Sequence, residues 1–434
     1  MKLVLRTALS NLTLFLVCAR GLTAAEVSAW PTWRGPSGQG IAFGAQPPLT
    51  WSVQQNIKWK TRIPGLGLST PVIWQDRVFL LTAIESDGPA PAAWAGSGPT
   101  PTQPYEFAVL ALERSSGKVL WQKTARKEVP HEGKHATASY ASASPVTDGR
   151  HLWVPFGSRG YYCYDMDGNL IWEKDLGDMR TRMSFGEGSS PAIAGNLLLI
   201  VWDHEAQSYI VALDKNTGAE VWRKDRDERS SWSTPLIVEV DGKLQAIVAA
   251  TTRTRSYDVA TGDVVWEAAG LTGNVIPTPV TGHGMVYLMS GFRGNSIQAI
   301  KLSAKGDVTD TPDIVWSLRH SAPYAPSPVL SGDRLFATKS NGAYLSCLNA
   351  LTGEFHFRDQ PLPGVRGIYA SPIAANGYLY VVGREGTIMV LKDSTTFEVV
   401  ANNTLSDRID ASPVALDKEL FLRGHKYLYC ISES

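Results

Sequence analysis

The sequence lacks the features that would tie it to nucleic acid, to a membrane or to a disulfide scaffold. Its 434 residues hold 41 Lys and Arg against 41 Asp and Glu, so no excess of positive charge indicates a nucleic-acid partner. No apolar run is long enough to span a membrane. Four cysteines, none beside another, are too few for the disulfide-dense frameworks of small secreted domains.

Signatures of common catalytic centres are missing or lack their context, including G-x-S-x-G and C-x-x-C-H. The segment His131–His135 satisfies H-E-x-x-H, but Pro130 and Gly133 disfavour the helix that zinc binding needs, so we predict a polar loop. Asp165–Gly168 has only part of a calcium loop and is predicted to be a turn. Gly35–Gly40 is not followed by a helix and does not match a phosphate-binding loop. We therefore predict no catalytic and no metal-binding residue.

Glycine and proline, by contrast, are plentiful, and they separate short apolar runs. The stretch Ser190–Trp222 contains four runs of strand length, divided by turns such as Gly195-Asn196. No helical periodicity is present. The stretch therefore predicts a four-stranded antiparallel meander, with strands named A to D. Because such a sheet is apolar on both faces, it needs other sheets on either side.

This unit repeats along the chain, and each copy opens on Ser or Thr followed by Pro. The prolines of these openers are Pro71, Pro145, Pro191, Pro235, Pro279, Pro328, Pro372 and Pro413. From the second opener onward the steps are 46, 44, 44, 49, 44 and 41 residues. In most copies strand D has an aromatic residue four positions after a glycine, and the seventh copy has lost that aromatic. The period predicts an all-β fold, an eight-bladed β-propeller of four-stranded antiparallel blades.

The chain divides into three expected regions. Residues 1–25 have the basic start, the apolar run and the small residues of a secretory signal, so we predict export to the periplasm or the extracellular space. Residues 26–50 form an N-terminal loop segment, which Trp30 and Trp33 are expected to anchor on the propeller. Residues 51–434 form the propeller itself.

Two segments of blades 8 and 1 depart from the repeat. Asn56–Lys60 resembles a strand D but precedes the first opener, while the sequence ends soon after strand C of blade 8. We predict that this N-terminal strand completes blade 8 and removes an open edge; the alternative is an isolated strand that leaves the blade one strand short. The insertion at residues 86–105 is rich in Pro, Gly, Ala and Ser, which favours a surface loop over a lid or partner contact.

Three cysteines occupy one position of the repeat, near the end of strand C. These are Cys163, Cys347 and Cys430, and other copies have Ala111, Ala212, Ser256 and Ala299 there. Because every occupant is small, we predict a tightly packed position in which cysteine behaves as a small apolar residue. The three blades are not neighbours, so no disulfide is expected.

Basic residues recur at the B–C connections of seven successive blades. They are Arg159, His204, Arg253, Arg255, Arg293, Lys339, Arg384, Arg423 and His425. The D–A connections add His131, His135, Trp232, Tyr324 and Tyr369 to the same face. Two interpretations are open: long cations solvate the turns, or a ring of them surrounds the funnel mouth and binds an anionic ligand. The second makes all these residues candidates for ligand binding.

Several segments resemble the tryptophan-docking repeat of the pyrroloquinoline quinone (PQQ) propellers. They are ALERSSGKVLW (111–121), ALDKNTGAEVW (212–222) and YDVATGDVVW (257–266). WPTWRGPSGQG and STPVIWQDRVFLLTA look most like secreted PQQ-like repeat proteins of no assigned activity. The resemblance covers essentially the whole mature chain. The family includes periplasmic quinoprotein dehydrogenases and non-catalytic propellers such as the lipoprotein of the outer-membrane β-barrel assembly machine.

The resemblance implies a fold more firmly than an activity. Quinoprotein alcohol dehydrogenases have a disulfide of adjacent cysteines against the cofactor, and this chain has no adjacent cysteines. Their calcium ligands and catalytic aspartate find no match here. We therefore expect a monomeric binding or scaffold propeller without a cofactor, whose funnel face meets a protein partner or an anionic small molecule. The alternative is an oxidoreductase that uses PQQ with calcium.

Overall fold

Eight small sheets, each containing four antiparallel strands, form the body of the molecule and confirm the predicted eight-bladed β-propeller. The computed structural model describes residues 28–86, 98–339 and 342–433. The expected signal segment at 1–25 and most of the insertion of blade 1 lie outside these residues. None of the helical segments in the described ranges has the length and hydropathy needed to cross a membrane.

The strands follow the chain order blade by blade. Three come first: β1 (Ala29–Trp30), β2 (Ile41–Ala42) and β3 (Ile57–Arg62). Blades 1 and 2 are β4 (Val72–Trp74), β5 (Arg77–Glu85), β6 (Tyr105–Glu113), β7 (Val119–Glu128), β8 (Val146–Thr147), β9 (His151–Pro155), β10 (Tyr161–Asp165) and β11 (Leu170–Lys174). Blades 3 and 4 are β12 (Ala192–Ala194), β13 (Leu197–Trp202), β14 (Ser208–Asp214), β15 (Glu220–Arg226), β16 (Leu236–Val240), β17 (Lys243–Val248), β18 (Thr254–Asp258) and β19 (Val264–Ala268).

The second half of the ring continues in the same way. Blade 5 is β20 (Val280–Gly282), β21 (Met285–Ser290), β22 (Ser296–Lys301) and β24 (Ile314–Leu318), and β23 (Gly306–Asp307) pairs with the edge of blade 4. Blades 6 to 8 are β25 (Val329–Ser331), β26 (Arg334–Lys339), β27 (Tyr344–Asn349), β28 (Phe355–Pro361), β29 (Ile373–Ala375), β30 (Tyr378–Val382), β31 (Thr387–Lys392), β32 (Val399–Thr404), β33 (Val414–Leu416), β34 (Glu419–Arg423) and β35 (Tyr427–Ser432). Two 3₁₀ turns lie at Gly157–Arg159 and Arg182–Ser184.

The N-terminal strand closes the ring as predicted. Strand β3 pairs antiparallel with β35 and is the outer strand D of blade 8. Its residue Trp59 lies opposite Cys430, the position that strand D aromatics take in other blades. Strand β3 therefore shares one sheet with the last three strands of the chain order, β33 to β35, and blade 8 has its full set of four strands.

In five of the eight blades a strand D tryptophan docks the blade onto the next one. Its Nε1 donates to a backbone carbonyl in the C–D turn of the following blade, at 2.9–3.2 Å, in the pairs Trp59–Arg114, Trp121–Met166, Trp172–Lys215, Trp222–Val259 and Trp316–Ala350. The turn glycine lies under the ring. A Cβ on Gly117 would stand 2.4 Å from Trp59, and its φ of +72° also favours glycine. The recurring Gly and Trp thus belong to an interface between blades.

The small position on strand C lies between two aromatic residues. Cys163 is opposite Trp153 on strand B and Trp172 on strand D. The same arrangement holds for Cys347 with Phe336 and Phe357, and for Cys430 with Phe421 and Trp59. In blade 7, where strand D has Ala401 instead of an aromatic, the larger Val390 takes the position. The predicted packing is confirmed: all three thiols are buried, and burial raises the pKa of Cys163 to about 12.

The hydroxyls of the openers join the innermost strands into a ring around the central channel. The amides of seven of the eight opener residues donate to the hydroxyl of the next blade at 2.9–3.1 Å, in the pairs Thr70–Ser144, Ser144–Ser190, Ser190–Thr234, Thr234–Thr278, Thr278–Ser327, Ser327–Ser371 and Ser371–Ser412. The Thr70 hydroxyl then donates to the Ser412 carbonyl at 3.4 Å. We call this set the hydroxyl ring.

The closure by β3 yields a first prediction. Trp59→Ala removes the side chain that packs on Phe421 and on the turn of blade 1. We expect the free energy of unfolding to fall by about 3–5 kcal/mol, as for other large core truncations. Urea denaturation measures the loss, with the exposed Val53→Ala as control. Equal stability of the two variants would contradict the role of β3 as a structural strand.

The hydroxyl ring yields a second prediction. Ser190→Ala leaves the buried amide of Ser144 without an acceptor, which should cost about 1–3 kcal/mol of unfolding free energy. Ser303→Ala, at an exposed position, should change stability by less than about 0.5 kcal/mol. Thermal and urea unfolding of both variants would test this, and a ring variant as stable as the control would refute it.

The small position on strand C yields a third. Cys163→Ala should be tolerated, whereas Cys163→Leu should lose about 1–3 kcal/mol because the flanking tryptophans leave no room. In the folded protein, maleimide should label Cys163, Cys347 and Cys430 slowly, as followed by peptide mass spectrometry. Rapid labelling of all three would show that the position is open.

Candidate functional site

The D–A and B–C connections form one face of the propeller, the funnel face, and a cavity opens at its centre. The cavity has a volume of about 390 Å³, within the range of small-molecule sites. Each D–A connection contributes the residue two positions before its opener Ser or Thr: Leu68, Ser142, Gly188, Trp232, Ile276, Ala325, Tyr369 and Asp410. Because the openers are fixed by the hydroxyl ring, this register brings one residue of every blade to the wall. We call the space the funnel cavity.

The floor of the funnel cavity comes from the N-terminal segment, residues 28–50. Strand β1 pairs with β4 of blade 1, residues 32–38 meet the inner strands of blades 3 and 4, and β2 pairs in parallel with β29 of blade 7, so the segment crosses the channel. Trp33 lines the cavity from below, and its Nε1 donates to the hydroxyl of Ser412 in the ring at 3.3 Å. Trp33, which was expected to anchor the N-terminal segment, therefore also closes the channel beneath the cavity.

Aromatic side chains make up much of the wall. Phe185, Trp232, Phe292, Tyr324 and Tyr369 all line the cavity. Phe292 and Tyr324 stack with their centroids 5.1 Å apart. A concave wall of this kind offers flat apolar surface to the body of a ligand.

Two carboxyl groups and one imidazole line the same cavity. Glu187 accepts hydrogen bonds from the amide and hydroxyl of Ser158, while burial raises the pKa of Glu187. Burial, aided by the charges of Arg384 and Lys134, lowers the pKa of His135. The imidazole of His135 is therefore neutral at neutral pH.

The third group, Asp410, is surrounded by cations. Arg384 donates to it through Nε at 2.6 Å, Arg408 through Nε at 3.1 Å, and His425 contacts it through Nε2 at 3.0 Å. The carboxylate is almost fully buried, with 2% of its side chain exposed. Two guanidinium groups thus share one carboxylate, and the cluster keeps a net positive charge.

The structure brings six of the sequence-predicted residues to the funnel cavity. His135, Trp232, Tyr324 and Tyr369 line it directly. Arg384 lies over the ring of Tyr369 at 3.8 Å, and Arg293 lies over Phe292 at 5.4 Å. His425 contacts the cavity indirectly, through Asp410.

Most of the other predicted cations pair with residues of the protein. Arg159 pairs with Glu128 at 2.6 Å and with Asp178, and it contacts the Nδ1 of His131. His131 also contacts the carbonyl of Met179, so the His131–His135 segment is a loop held by its neighbours. Arg159, His131 and Trp232 line a second, smaller cavity of about 50 Å³ beside the funnel.

The predicted basic residues of blades 3 and 4 also have partners within the protein. Arg253 pairs with Asp307 at 2.8 Å, and Arg255 pairs with Glu228 at 3.1 Å and with Asp227. The His204 ring nitrogens bond the amide of Arg180 and the carbonyl of Gln207. Arg423 is buried in β34, and Lys339 is half-buried at the end of β26. Carboxylates therefore balance much of the predicted ring, and its positive charge concentrates near Arg293 and the Asp410 cluster.

Sequence reasoning missed Trp33, Phe185, Glu187, Phe292 and Asp410. For Asp410 a signal was present, since it stands two residues before an opener, as Trp232 and Tyr369 do. For Trp33, no pattern in the neighbouring sequence indicates that the N-terminal segment crosses the channel and places this side chain beneath the cavity. Within the described ranges, no group of three or more His, Cys, Asp or Glu side chains is placed to hold a metal ion.

Comparison with known proteins places most of the chain in one family model. Residues 105–207 and 206–432 match the model of PQQ-type propeller repeats described as outer membrane protein assembly factor BamB.

Two curated proteins are similar in sequence. The tetrathionate hydrolase of Acidithiobacillus ferrooxidans is 22% identical over 308 residues, which cover 65% of this chain and 55% of the hydrolase. The outer membrane protein assembly factor BamB of Francisella salina is 25% identical over 131 residues, which cover 28% of this chain and 23% of that protein. The matches therefore span about half and about a quarter of these relatives.

Solved structures share the fold at low identity. BamB from Moraxella catarrhalis has a TM-score of 0.54 at 14% identity, covering 81% of this chain and 98% of that chain. The quinohemoprotein alcohol dehydrogenase ADHIIG from Pseudomonas putida HK5 has a TM-score of 0.58 at 10% identity, covering 93% and 80%. The corresponding enzyme from Comamonas testosteroni has a TM-score of 0.50 at 13% identity, with the same coverage. At these identities the likeness concerns the propeller fold alone.

Proposed function

The chain belongs to the family of PQQ-like repeat propellers whose model is described as outer membrane protein assembly factor BamB, and we propose that it is an exported binding or scaffold propeller. Its funnel cavity receives an anionic ligand or an acidic segment of a partner protein. A single copy provides the whole site, because all eight D–A connections come from one chain.

The observation that carries this proposal is the pairing of an aromatic wall with arginines at its rim. Arg293 is exposed, lies on Phe292, and makes no ion pair with any residue of the described ranges. Arg384 lies on Tyr369 within the positively charged Asp410 cluster. Aromatic faces suit the apolar body of a ligand, and guanidinium groups suit carboxylates and other oxyanions.

The names of the relatives support the same class of ligand. The assembly factors are named for the assembly of outer membrane proteins, which favours a protein partner and a location outside the cytoplasm. The hydrolase is named for tetrathionate, which is a dianion. An anionic group is the chemistry that both kinds of ligand can present to Arg293.

The residues of the funnel cavity do not fit the PQQ alternative. The oxidoreductase alternative needs calcium with PQQ, and the carboxyl groups on the wall are those of Glu187 and Asp410. Calcium would need carboxylate oxygens that are free to coordinate it. Those of Glu187 bond Ser158, and those of Asp410 bond Arg384, Arg408 and His425.

A fourth prediction tests the role of Arg293 at the rim of the funnel cavity. Arg293→Glu should weaken binding of tetrathionate and of an acidic peptide about tenfold at low ionic strength, because it reverses the charge at the mouth. The difference should shrink in high salt. The matched control is Arg150→Glu, an exposed arginine in the A–B turn of blade 2, on the opposite face. Calorimetric titration of the three proteins at two salt concentrations gives the measurement.

The control separates a local effect from a change of net charge. Equal weakening by Arg150→Glu, or unchanged binding in Arg293→Glu, would contradict the proposed site. Arg384→Glu is unsuitable because it would place a second carboxylate beside the buried Asp410. Dye-linked alcohol oxidation after addition of PQQ and calcium would instead favour the oxidoreductase alternative.

A further inference from the structure

Arg34 is a buried cation in the N-terminal segment, next to the Trp33 that floors the funnel cavity. Only 2% of the residue is exposed. Its Nη2 donates to the carbonyls of Gln39 and Pro328 at 2.7 and 2.6 Å. Its Nε and Nη1 are buried and have no hydrogen-bond partner in the part of the chain that the structure describes. Part of a guanidinium group is therefore left without acceptors.

No carboxylate balances this charge among the described residues. Burial alone lowers the pKa of Arg34, to about 9, so the guanidinium remains charged at neutral pH. Two other buried arginines are paired: Arg226 lies 2.7 Å from Asp203, and Arg255 lies 3.1 Å from Glu228. The buried guanidinium of Arg423 also lacks hydrogen-bond partners among the described residues, but the charge of Asp407 lies nearby. A buried and unpaired cation is costly, which indicates a missing counter-charge.

A cavity adjoins Arg34 on the face opposite the funnel. It has a volume of about 120 Å³ and lies between the N-terminal segment and the inner strands of blades 3 and 4. Arg34, Ser37, Thr234 and Thr278 are among the residues that line it. The Ser37 hydroxyl is buried and, within the described ranges, also lacks a partner. The space would hold several water molecules, which is more than a single halide ion needs.

We propose that this cavity binds a small inorganic oxyanion of the sulfate or phosphate class. Arg34 supplies the positive charge and N–H donors, and Ser37 supplies a hydroxyl donor. Gly40 makes the arrangement sterically feasible, because a Cβ there would stand 2.5 Å from the Nη2 of Arg34. The site is separate from the funnel cavity, since the N-terminal segment lies between them.

Selenate, a sulfate analogue, is the probe that tests this site. Calorimetric titration of the full chain, with ionic strength held constant by chloride, should show one binding site. Ser37→Ala should weaken selenate binding about tenfold, and Arg34→Gln should abolish it. The matched controls are Ser303→Ala and Arg62→Gln, at exposed positions away from both the cavity and the funnel, and they should bind as the wild type does.

A crystal grown with selenate locates the ion directly. We expect a selenium anomalous peak within hydrogen-bond distance of Arg34 and Ser37. Arg34→Gln also removes the bonds to Gln39 and Pro328, so Ser37→Ala is the decisive variant if the former unfolds. Ordered water alone in the cavity, or equal binding by wild type and Ser37→Ala, would overturn the proposal. Loss of selenate binding in Arg293→Gln would also overturn it, by assigning the anion to the funnel instead.

Discussion

The hydrogen bond between an opener amide and the next blade's hydroxyl is the interaction on which the rest of the molecule depends. Proline follows each opener, so that residue keeps an extended conformation and its own amide remains available to the neighbour. Ser and Thr are small enough to stand at the crowded centre and still accept the bond. Repeated around the channel, the contact fixes where every strand A begins.

The geometry of the funnel cavity follows from the hydroxyl ring. Once the openers are fixed, the residue two positions earlier faces the funnel cavity in every blade, whether it is Trp232, Tyr369 or Asp410. The hydroxyl ring therefore fixes where each of these side chains stands, whereas the residue type at that position can vary from blade to blade. This freedom explains how one scaffold can support binding sites of different character, and why fold likeness alone does not transfer an activity.

A second constraint acts in the outer part of each blade, where the side-chain volumes of facing residues on strands C and D compensate for one another. A large aromatic on strand D is matched by a small residue on strand C, as with Trp172 and Cys163. In blade 7, where strand D has Ala401, the facing residue on strand C is the larger Val390. Close packing demands that volume lost on one strand be restored on its partner. The cysteines are explained by this volume and need no redox role.

The sequence alone determined the eight blades, the strand that closes blade 8 and the small position on strand C. Each rests on a pattern that recurs every 41 to 49 residues, and local periodicity is what a single sequence displays. Tertiary structure decided the rest. Arg384 meets Asp410 26 residues away, and Arg34 reaches Pro328 across 294 residues. Such pairings depend on where the folded ring places each side chain, so spacing along the chain cannot distinguish a balanced cation from a free one.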